Sequence, residues 1–293
     1  MSGRVGYIFV RAMAAAFGLL PEAAMRRGGE FMGLVGSLLA RKQTALLRSH
    51  LTRVVGPVPD LNRRVRRMFS SYGRYWAEVF WARPRRKPGI QSHATVVGAE
   101  HIRDGQKKGK GIILALPHLG NWEVAGAKAQ ELGIPVLAVA ERLTNRRLVD
   151  WFLEVRRELG IEVVLTDEGR RMTEALIRRL KGGGTVALLA DRDLTGRGIE
   201  VEFFGERTTM PGGPASLADR TGAALLPVGC YFNAKRGHTF VVHPPIQVPT
   251  EGARRERVAD AAQSLADVLE VIIAEQPEQW HLFQPNWPSD ATL

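Results

Sequence analysis

The organisation of this chain is clearest in one stretch, Gly111-Ile112-Ile113-Leu114-Ala115-Leu116-Pro117-His118-Leu119-Gly120-Asn121-Trp122-Glu123. Residues 112–116 form an unbroken apolar run, as expected of a strand that is buried on both faces. Pro117 and Gly120 predict a tight turn after it, and Asn121 is a suitable N-cap for the helix that follows. His118 therefore lies just past the carboxyl end of a central strand, where open α/β sheets bind their ligands.

The spacing of His118 and Glu123 allows a general-base arrangement. A neutral imidazole can accept a proton from a hydroxyl group, and a carboxylate can orient the ring and stabilise the imidazolium that forms. We therefore predict His118 as a base oriented by Glu123. A second interpretation stays open, because the helix dipole alone favours an acidic residue in the first turn and a loop histidine can be ordinary polar surface.

From residue 94 onward, predicted strands alternate with predicted helices. This rhythm predicts an α/β fold with a central, mostly parallel sheet that is covered by helices on both faces. Residues 1–90 have helical periodicity, so we expect an N-terminal helical region over 1–90 and an α/β core over 91–293, packed as one integrated domain. The predicted strands are 95–97, 111–116, 135–139, 162–165, 185–190, 201–204, 224–232 and 239–243, and the main predicted helices are 60–82, 121–132, 146–159, 168–180, 213–221 and 254–275.

Composition indicates an anionic partner and excludes several chemistries. The 293 residues carry a formal net charge of +11, which favours nucleic acid, an acidic membrane surface or a phosphate-rich substrate. The basic residues occur in scattered pairs and form no recognisable nucleic-acid module, so we expect no nucleic-acid partner. The sequence lacks a G-x-S-x-G elbow, a Walker A loop and a zinc-ligand pattern. The single cysteine, Cys230, lies in an apolar strand and is interpreted as a structural thiol.

The first forty residues are apolar but interrupted by charge. No uncharged run reaches the roughly 18 residues that a membrane span requires. We predict amphipathic helices that lie at a membrane interface, while packing against the protein's own core is an equal alternative. The interrupting residues are Arg4, Arg11, Glu22, Arg26, Arg27 and Glu30.

Charged residues follow three of the predicted strands. His118 follows 111–116, Glu141 and Arg142 follow 135–139, and Asp191 and Arg192 follow 185–190. Because parallel strands end at the same edge of a sheet, we expect these side chains to converge on one rim. The sequence therefore predicts a substrate site there, with Glu141 and Arg192 among the binding residues.

Several blocks of sequence resemble one family of enzymes. Residues 118–123 resemble the His-x-x-x-x-Asp/Glu signature of glycerolipid and lipid A acyltransferases. Further blocks, in the same order over most of the chain, are similar to the phosphatidylinositol mannoside acyltransferases of actinobacteria. These blocks are Ser71-Tyr72-Gly73-Arg74-Tyr75-Trp76, Ala140-Glu141-Arg142-Leu143, residues 156–160, Ala190-Asp191-Arg192-Asp193-Leu194-Thr195, Phe203-Phe204-Gly205-Glu206, Met210-Pro211, Gly213-Pro214-Ala215 and Trp280-His281-Leu282-Phe283-Gln284-Pro285-Asn286-Trp287.

The resemblance implies the transfer of a long-chain acyl group, typically palmitoyl, from acyl-CoA to the 6-hydroxyl of a mannose on phosphatidylinositol mannoside. It implies that His118 is the base and that Glu123 orients it. Asp191 matches a family position that carries an acidic residue near the mannose. Arg156 matches an arginine at the donor site, which implies contacts to CoA, although the helix dipole alone also explains a basic residue there. His281 is implied as pocket lining.

The resemblance also implies where the protein works and what it needs. Acyl-CoA is a co-substrate, and no metal or other cofactor is expected. The basic N-terminal region suits peripheral contact with the anionic cytoplasmic face of the inner (plasma) membrane, where each Lys or Arg contributes about 1 kcal/mol. Two alternatives stay open: a related lysophospholipid or lipid A-type acyltransferase, and a non-catalytic anionic-lipid-binding protein.

Overall fold

The computed structural model describes residues 3–141, 144–233 and 237–292. Four long helices come first, followed by a short 3-10 turn and a fifth, shorter helix. The helices are α1 (Gly3–Leu19), α2 (Glu22–Leu39), α3 (Arg41–Val55), α4 (Leu61–Trp81) and α5 (Lys87–Ser92), with the 3-10 turn at Pro84–Arg86.

The remaining chain alternates strands and helices, which confirms the predicted α/β class. The strands are β1 (Ala94–Val97), β2 (Ile112–Leu116), β3 (Val136–Ala140), β4 (Glu162–Leu165), β5 (Thr185–Leu189), β6 (Ile199–Phe203), β7 (Glu206–Met210), β8 (Ala224–Phe232) and β9 (His238–Val242). The helices are α6 (Ala99–Lys107), α7 (Trp122–Glu131), α8 (Arg146–Leu159), α9 (Arg170–Lys181), α10 (Gly213–Thr221) and α11 (Arg254–Glu275). Helix α6 and strand β7 were not among the predicted elements.

Seven strands form the central sheet in the order β1-β9-β8-β2-β5-β3-β4. Strands β8, β2, β5, β3 and β4 are parallel, β9 is antiparallel to β8, and β1 is parallel to β9. Strands β6 and β7 form a separate antiparallel hairpin. The sheet is therefore mostly parallel, as predicted, with β2 and β5 side by side at its centre.

Strand β2 is buried along its whole length because helices cover both of its faces. Ile113 and Ala115 belong to a core cluster that includes residues of α9, α10 and α11. Leu114 and Leu116 belong to a second cluster, which includes residues of α6 and α7. This double coverage explains why the strand is an uninterrupted apolar run.

The N-terminal helices pack on one another and on the sheet. Helices α2 and α4 approach closely through glycines, since a Cβ on Gly33 would lie 2.0 Å from the carbonyl oxygen of Phe69 and a Cβ on Gly73 would lie 2.1 Å from that of Gly29. Helix α4 carries an aromatic face at helical spacing, formed by Phe69, Tyr72, Trp76 and Phe80, and Phe69 and Phe80 are buried. Among the described residues, no helix combines the length and the apolar character that crossing a bilayer requires.

Candidate active site

His118 and Asp191 meet at the carboxyl ends of the neighbouring strands β2 and β5. The His118 ring nitrogen Nδ1 lies 2.7 Å from Asp191 Oδ1. The His118 backbone N–H donates to the second carboxylate oxygen, Oδ2, over 2.9 Å. One carboxylate therefore fixes both the ring and the backbone of the turn that carries it.

The Asp191 carboxylate is fully buried and receives a third hydrogen bond, from the indole N–H of Trp280 to Oδ2 over 2.8 Å. Burial alone would raise the pKa of Asp191, but the His118 ring and the hydrogen bonds from Trp280 and the His118 backbone hold that pKa below its ordinary value. The carboxylate is thus ionised at neutral pH. It is placed to hold a proton on Nδ1 and to stabilise an imidazolium.

Glu123 does not make the contact with His118 that its spacing predicted; in the described part of the chain its carboxylate pairs with Arg156. Arg156 Nε lies 3.0 Å from both Glu123 oxygens, and one terminal guanidinium nitrogen lies 2.6 Å from Oε1. Burial alone would lower the pKa of Arg156, but the charge of Glu123 outweighs it and the pKa is raised. The physical reason is that Glu123 lies in the first turn of α7, facing α8, whereas Asp191 follows the strand beside β2.

The turn that carries His118 is fixed by the contacts of Gly120 and Asn121. At Gly120, φ is 59°, and a Cβ there would lie 2.2 Å from the carbonyl oxygen of Cys230, so only glycine fits. Asn121 caps α7 as predicted, accepting hydrogen bonds from the backbone N–H groups of Glu123 and Val124. The Asn121 side-chain amide in turn donates to Glu78 of α4 over 2.8 Å.

Glu78 is the centre of a buried polar network between α4 and the sheet. Its carboxylate contacts Asn121, His238 Nε2 at 2.8 Å and Arg74 Nε at 2.9 Å. Burial alone would raise the pKa of Glu78, but the charges and hydrogen bonds of His238 and Arg74 lower it to about 2. The N-terminal helical region therefore contributes directly to the support of the turn that carries His118.

A cleft of about 790 Å³ opens beside His118. Three predicted site residues, Glu141, Arg156 and Arg192, line it together with His118, so the convergence of strand-end residues on one rim is found. Arg142, predicted at the same rim, lies outside the described residues. The other His118 nitrogen, Nε2, makes no hydrogen bond to a described residue. A substrate in the cleft could therefore contact it.

His281 lies behind the cleft and does not form part of the wall of the described cleft. It is 4 % exposed, and its Nε2 is 2.9 Å from the Ser71 hydroxyl. Its ring packs beside Tyr72, Tyr75 and Trp122. Burial and the nearby His118 ring lower the pKa of His281 to about 3, so this imidazole is neutral.

An apolar seam runs from the cleft across one face of the sheet, beneath α7. Trp122 and Arg156 border both the cleft and the seam. The seam is lined by residues of six adjacent strands, β3, β5, β2, β8, β9 and β1. Strands lie about 4.8 Å apart, so the seam extends roughly 24 Å across the sheet. Its six strand contacts are Ala138, Leu189, Leu116, Val228, Phe240 and Val96.

Comparison with known proteins defines the class of this molecule. The family model for the bacterial lipid A biosynthesis acyltransferase matches residues 2–289. The chain belongs to this acyltransferase family.

Within the family, three relatives are similar to this chain over most of their length. It is 42 % identical to the phosphatidylinositol mannoside acyltransferase of Mycobacterium tuberculosis, over 97 % of this chain and 87 % of that protein. It is 38 % identical to the protein of the same name from Mycolicibacterium smegmatis, over 97 % and 90 %. It is 27 % identical to the lipid A biosynthesis lauroyltransferase of Escherichia coli, over 89 % and 84 %. The resemblance predicted from the sequence blocks is confirmed, and the binding-protein alternative is not retained.

Sequence reasoning did not identify two residues of the site. Trp280 lies within a block that carried the family resemblance, but its distance of 89 residues from Asp191 gave no sign of contact. Glu78 lies on the aromatic helix α4, where an acidic residue within an otherwise buried stretch was the available signal.

Proposed function

We propose that this acyltransferase moves a long-chain acyl group, such as palmitoyl, from acyl-CoA to the 6-hydroxyl of a mannose on phosphatidylinositol mannoside. Relatives that are 42 % and 38 % identical to it, over 97 % of this chain, are named phosphatidylinositol mannoside acyltransferases. The observation that carries the proposed chemistry is the 2.7 Å contact between His118 Nδ1 and Asp191, with the opposite ring nitrogen left for a substrate in the cleft.

The reaction follows from the arrangement of these two side chains. His118 Nε2 takes the proton of the sugar hydroxyl while the oxygen attacks the thioester carbonyl. A C–O bond forms, the C–S bond breaks, and the imidazolium returns the proton to the CoA thiolate. Asp191 keeps the ring in the correct tautomer and stabilises its positive charge during the step. The imidazole supplies the base, so this scheme uses no metal or other cofactor.

The buried position of Asp191 changes the role that the resemblance implied for it. A carboxylate without exposed surface does not reach a sugar in the cleft. We therefore assign Asp191 to orienting His118, and we assign acceptor contacts to Glu141, which is exposed in the cleft wall. Glu123 becomes the partner of Arg156.

The donor would occupy the cleft and the seam together. Arg156 and Arg192 are the proposed contacts for the phosphate and pantetheine groups of CoA. The acyl chain would extend past Trp122 into the seam. The open volume of the seam is about 100 Å³ in this conformation, so its lining side chains would move apart to admit a long chain.

The lipid substrates imply contact with a membrane, and the outer faces of α1 and α2 offer a surface for it. Helix α2 exposes Phe31, Leu34, Val35 and Leu38 at the spacing of one helical face. Arg41 and Lys42 are exposed directly after this face. An apolar stripe with adjacent cations suits peripheral binding to the anionic cytoplasmic face of the inner membrane.

A comparison of purified acceptors tests the proposal. We expect the protein to transfer palmitate from palmitoyl-CoA to a mannosylated inositol lipid and to release CoA thiol in equal amounts. His118→Ala should abolish both signals, because it removes the imidazole that takes the hydroxyl proton. Transfer to a lysophospholipid or a lipid A precursor, without transfer to the mannosylated lipid, would reject the acceptor and favour the alternative activity.

A further inference from the structure

Trp280 is buried beside the catalytic pair in a strand-like segment that follows α11. This segment pairs antiparallel with the catalytic turn, since the backbone N–H of Gly120 donates to the carbonyl of Gln279 and that of His281 donates to the carbonyl of His118. Trp280 has no exposed surface. Its indole N–H is directed at Asp191 Oδ2, at 2.8 Å.

Asp191 Oδ2 accepts from two donors, the His118 backbone and the Trp280 indole, whereas Oδ1 is left for the His118 ring. A hydrogen bond to one carboxylate oxygen withdraws part of the negative charge that the other oxygen presents to the imidazole. The indole also restricts rotation of the carboxylate. The Trp280 N–H is therefore placed to set both the position and the charge of the group that faces His118 Nδ1.

Trp280 is itself fixed by residues from distant parts of the chain. The buried His50 ring of α3 lies beside it, with ring centroids 5.8 Å apart. His50 Nδ1 contacts the carbonyl oxygen of Leu282 at 3.2 Å, and Nε2 contacts Asp290 at 2.9 Å. Asp290 also accepts the backbone N–H groups of Asn286 and Trp287. His50 thus contacts the segment after Trp280 at two points, Leu282 and Asp290.

We propose that Trp280 is a positioning residue of the acyltransferase reaction, which holds the Asp191 carboxylate in place and moderates the negative charge that it presents to His118 Nδ1. This inference rests on the proposed role of His118 as the base. If the indole N–H is removed, Asp191 presents more charge to the ring, and the imidazolium is held more tightly. The base is then available only at a higher pH.

The Trp280→Phe variant tests this prediction through the pH dependence of turnover. We expect the acid limb of the kcat/KM profile to move upward by roughly half a pH unit and kcat at neutral pH to fall about tenfold. The KM for palmitoyl-CoA should change little, because Trp280 lies outside the cleft wall. A variant with an unmoved acid limb, or one moved to lower pH, overturns the proposal.

Trp287→Phe is a matched control in the same aromatic cluster. Trp287 is also buried, its ring centroid lies 6.2 Å from that of Trp280, and its indole N–H donates to the Phe203 carbonyl instead of Asp191. Both variants lose one indole N–H and similar packing. Only Trp280→Phe should move the acid limb; equal movement in both would mean that Trp280 acts merely by packing, and would also overturn the inference.

The His118→Ala variant separates failure of this inference from failure of the proposed function. If His118→Ala retains transfer, the base has been wrongly identified and the proposed mechanism falls with it. If His118→Ala is inactive while Trp280→Phe keeps the wild-type pH profile, the base stands and only the role of Trp280 is rejected.

Discussion

At the scale of single residues, the chemistry of the site depends on which carboxylate faces His118. Asp191 is in contact with Nδ1, whereas Glu123 forms an ion pair with Arg156. The sequence identified all four side chains as site residues but paired them differently. His118 pairs with Asp191 because β2 and β5 are neighbours in the sheet, and the spacing of residues along the chain does not reveal which strands are neighbours.

Asp191→Asn should lower kcat by about 10²- to 10⁴-fold, because an amide cannot hold the ring tautomer or stabilise the imidazolium in the same way. The KM for the acceptor should change much less, since Asp191 is buried away from the cleft. Steady-state kinetics with palmitoyl-CoA measures both. Asp193→Asn is the control, because Asp193 borders the cleft but binds the backbone of Thr195 and Gly198. Similar losses in the two variants would contradict the assigned role.

The buried imidazole of His281 should make the protein less stable as the pH falls. Burial and His118 lower its pKa from 6.5 to about 3, so between these values the unfolded chain binds a proton that the folded chain does not. The free energy of unfolding therefore rises with pH in this window, by up to about 1.4 kcal/mol per pH unit.

The His281→Gln variant tests this contribution, since glutamine does not titrate. Urea unfolding at several pH values between 6.5 and 4.5 should show a shallower slope for the variant. The comparison stops at pH 4.5 because Glu78, whose pKa is lowered from 4.5 to about 2, adds its own loss of stability below that value. If the free energy of unfolding had the same pH slope in both proteins, His281 would be able to bind a proton in the folded state.

At the scale of elements, local patterns predicted the helices and strands whose apolar residues recur with a regular period and whose ends are marked by helix- or strand-breaking residues. Helices α8 and α11 and strands β4 and β8 have the predicted bounds. Helix α6 was missed because it is short and mostly polar. The antiparallel direction of β9 relative to β8 was not among our predictions, although β9 begins at His238, soon after β8 ends at Phe232, and a parallel neighbour would need a much longer crossover.

The packing of α2 on α4 should fail when a single methyl group is added at the contact. In Gly33→Ala the new Cβ would lie 2.0 Å from the Phe69 carbonyl oxygen. We expect a loss of about 1–3 kcal/mol in the free energy of unfolding. Gly36→Ala, on the same helix with nothing within 4 Å, should instead gain roughly 0.5–1 kcal/mol from helix propensity. Chemical denaturation measures both, and similar effects would contradict the close contact.

The seam should determine which acyl chains are transferred. Val228 of β8 lines it midway between the cleft and β1. Val228→Phe should reduce palmitoyl transfer by about tenfold or more while an octanoyl donor is used nearly normally. Leu226→Phe is the control, since Leu226 is buried two residues earlier in the same core cluster but does not line the seam. If Val228→Phe lost transfer from both the palmitoyl and the octanoyl donor while Leu226→Phe did not, the acyl chain would lie elsewhere.

At the scale of the whole molecule, the helical N-terminal part and the α/β part share the support of the site. Glu78 of α4 accepts a hydrogen bond from Asn121 beside the His118 turn, and His50 of α3 lies beside Trp280. The sequence predicted one integrated domain, with the helical region ending near residue 90, but it did not predict these contacts. These contacts join polar side chains that lie far apart in the chain. They could not be predicted because the periodicity of a sequence indicates only which faces of its elements are apolar.

Membrane binding should depend on the exposed stripe of α2. Leu38→Glu places a charge on that stripe and should weaken sedimentation with anionic phospholipid vesicles by about tenfold or more. Val271→Glu is the control, because Val271 is similarly exposed but lies on α11. Added salt should weaken the wild-type protein's binding as well. Equal binding by the wild-type protein and Leu38→Glu would reject α2 as the contact surface.

The positions of β2 and β5 have a practical consequence. The chain between His118 and Asp191, which are 73 positions apart, leaves the centre of the sheet, builds β3 and β4 at one side, and returns to the centre. The connection from α9 to β5 lies at the amino ends of the strands, on the edge opposite the cleft, and Lys181 and Gly182 are exposed there. A fluorophore or an affinity tag grafted between these two residues would leave His118 and Asp191 in register, so labelled enzyme could be followed during turnover.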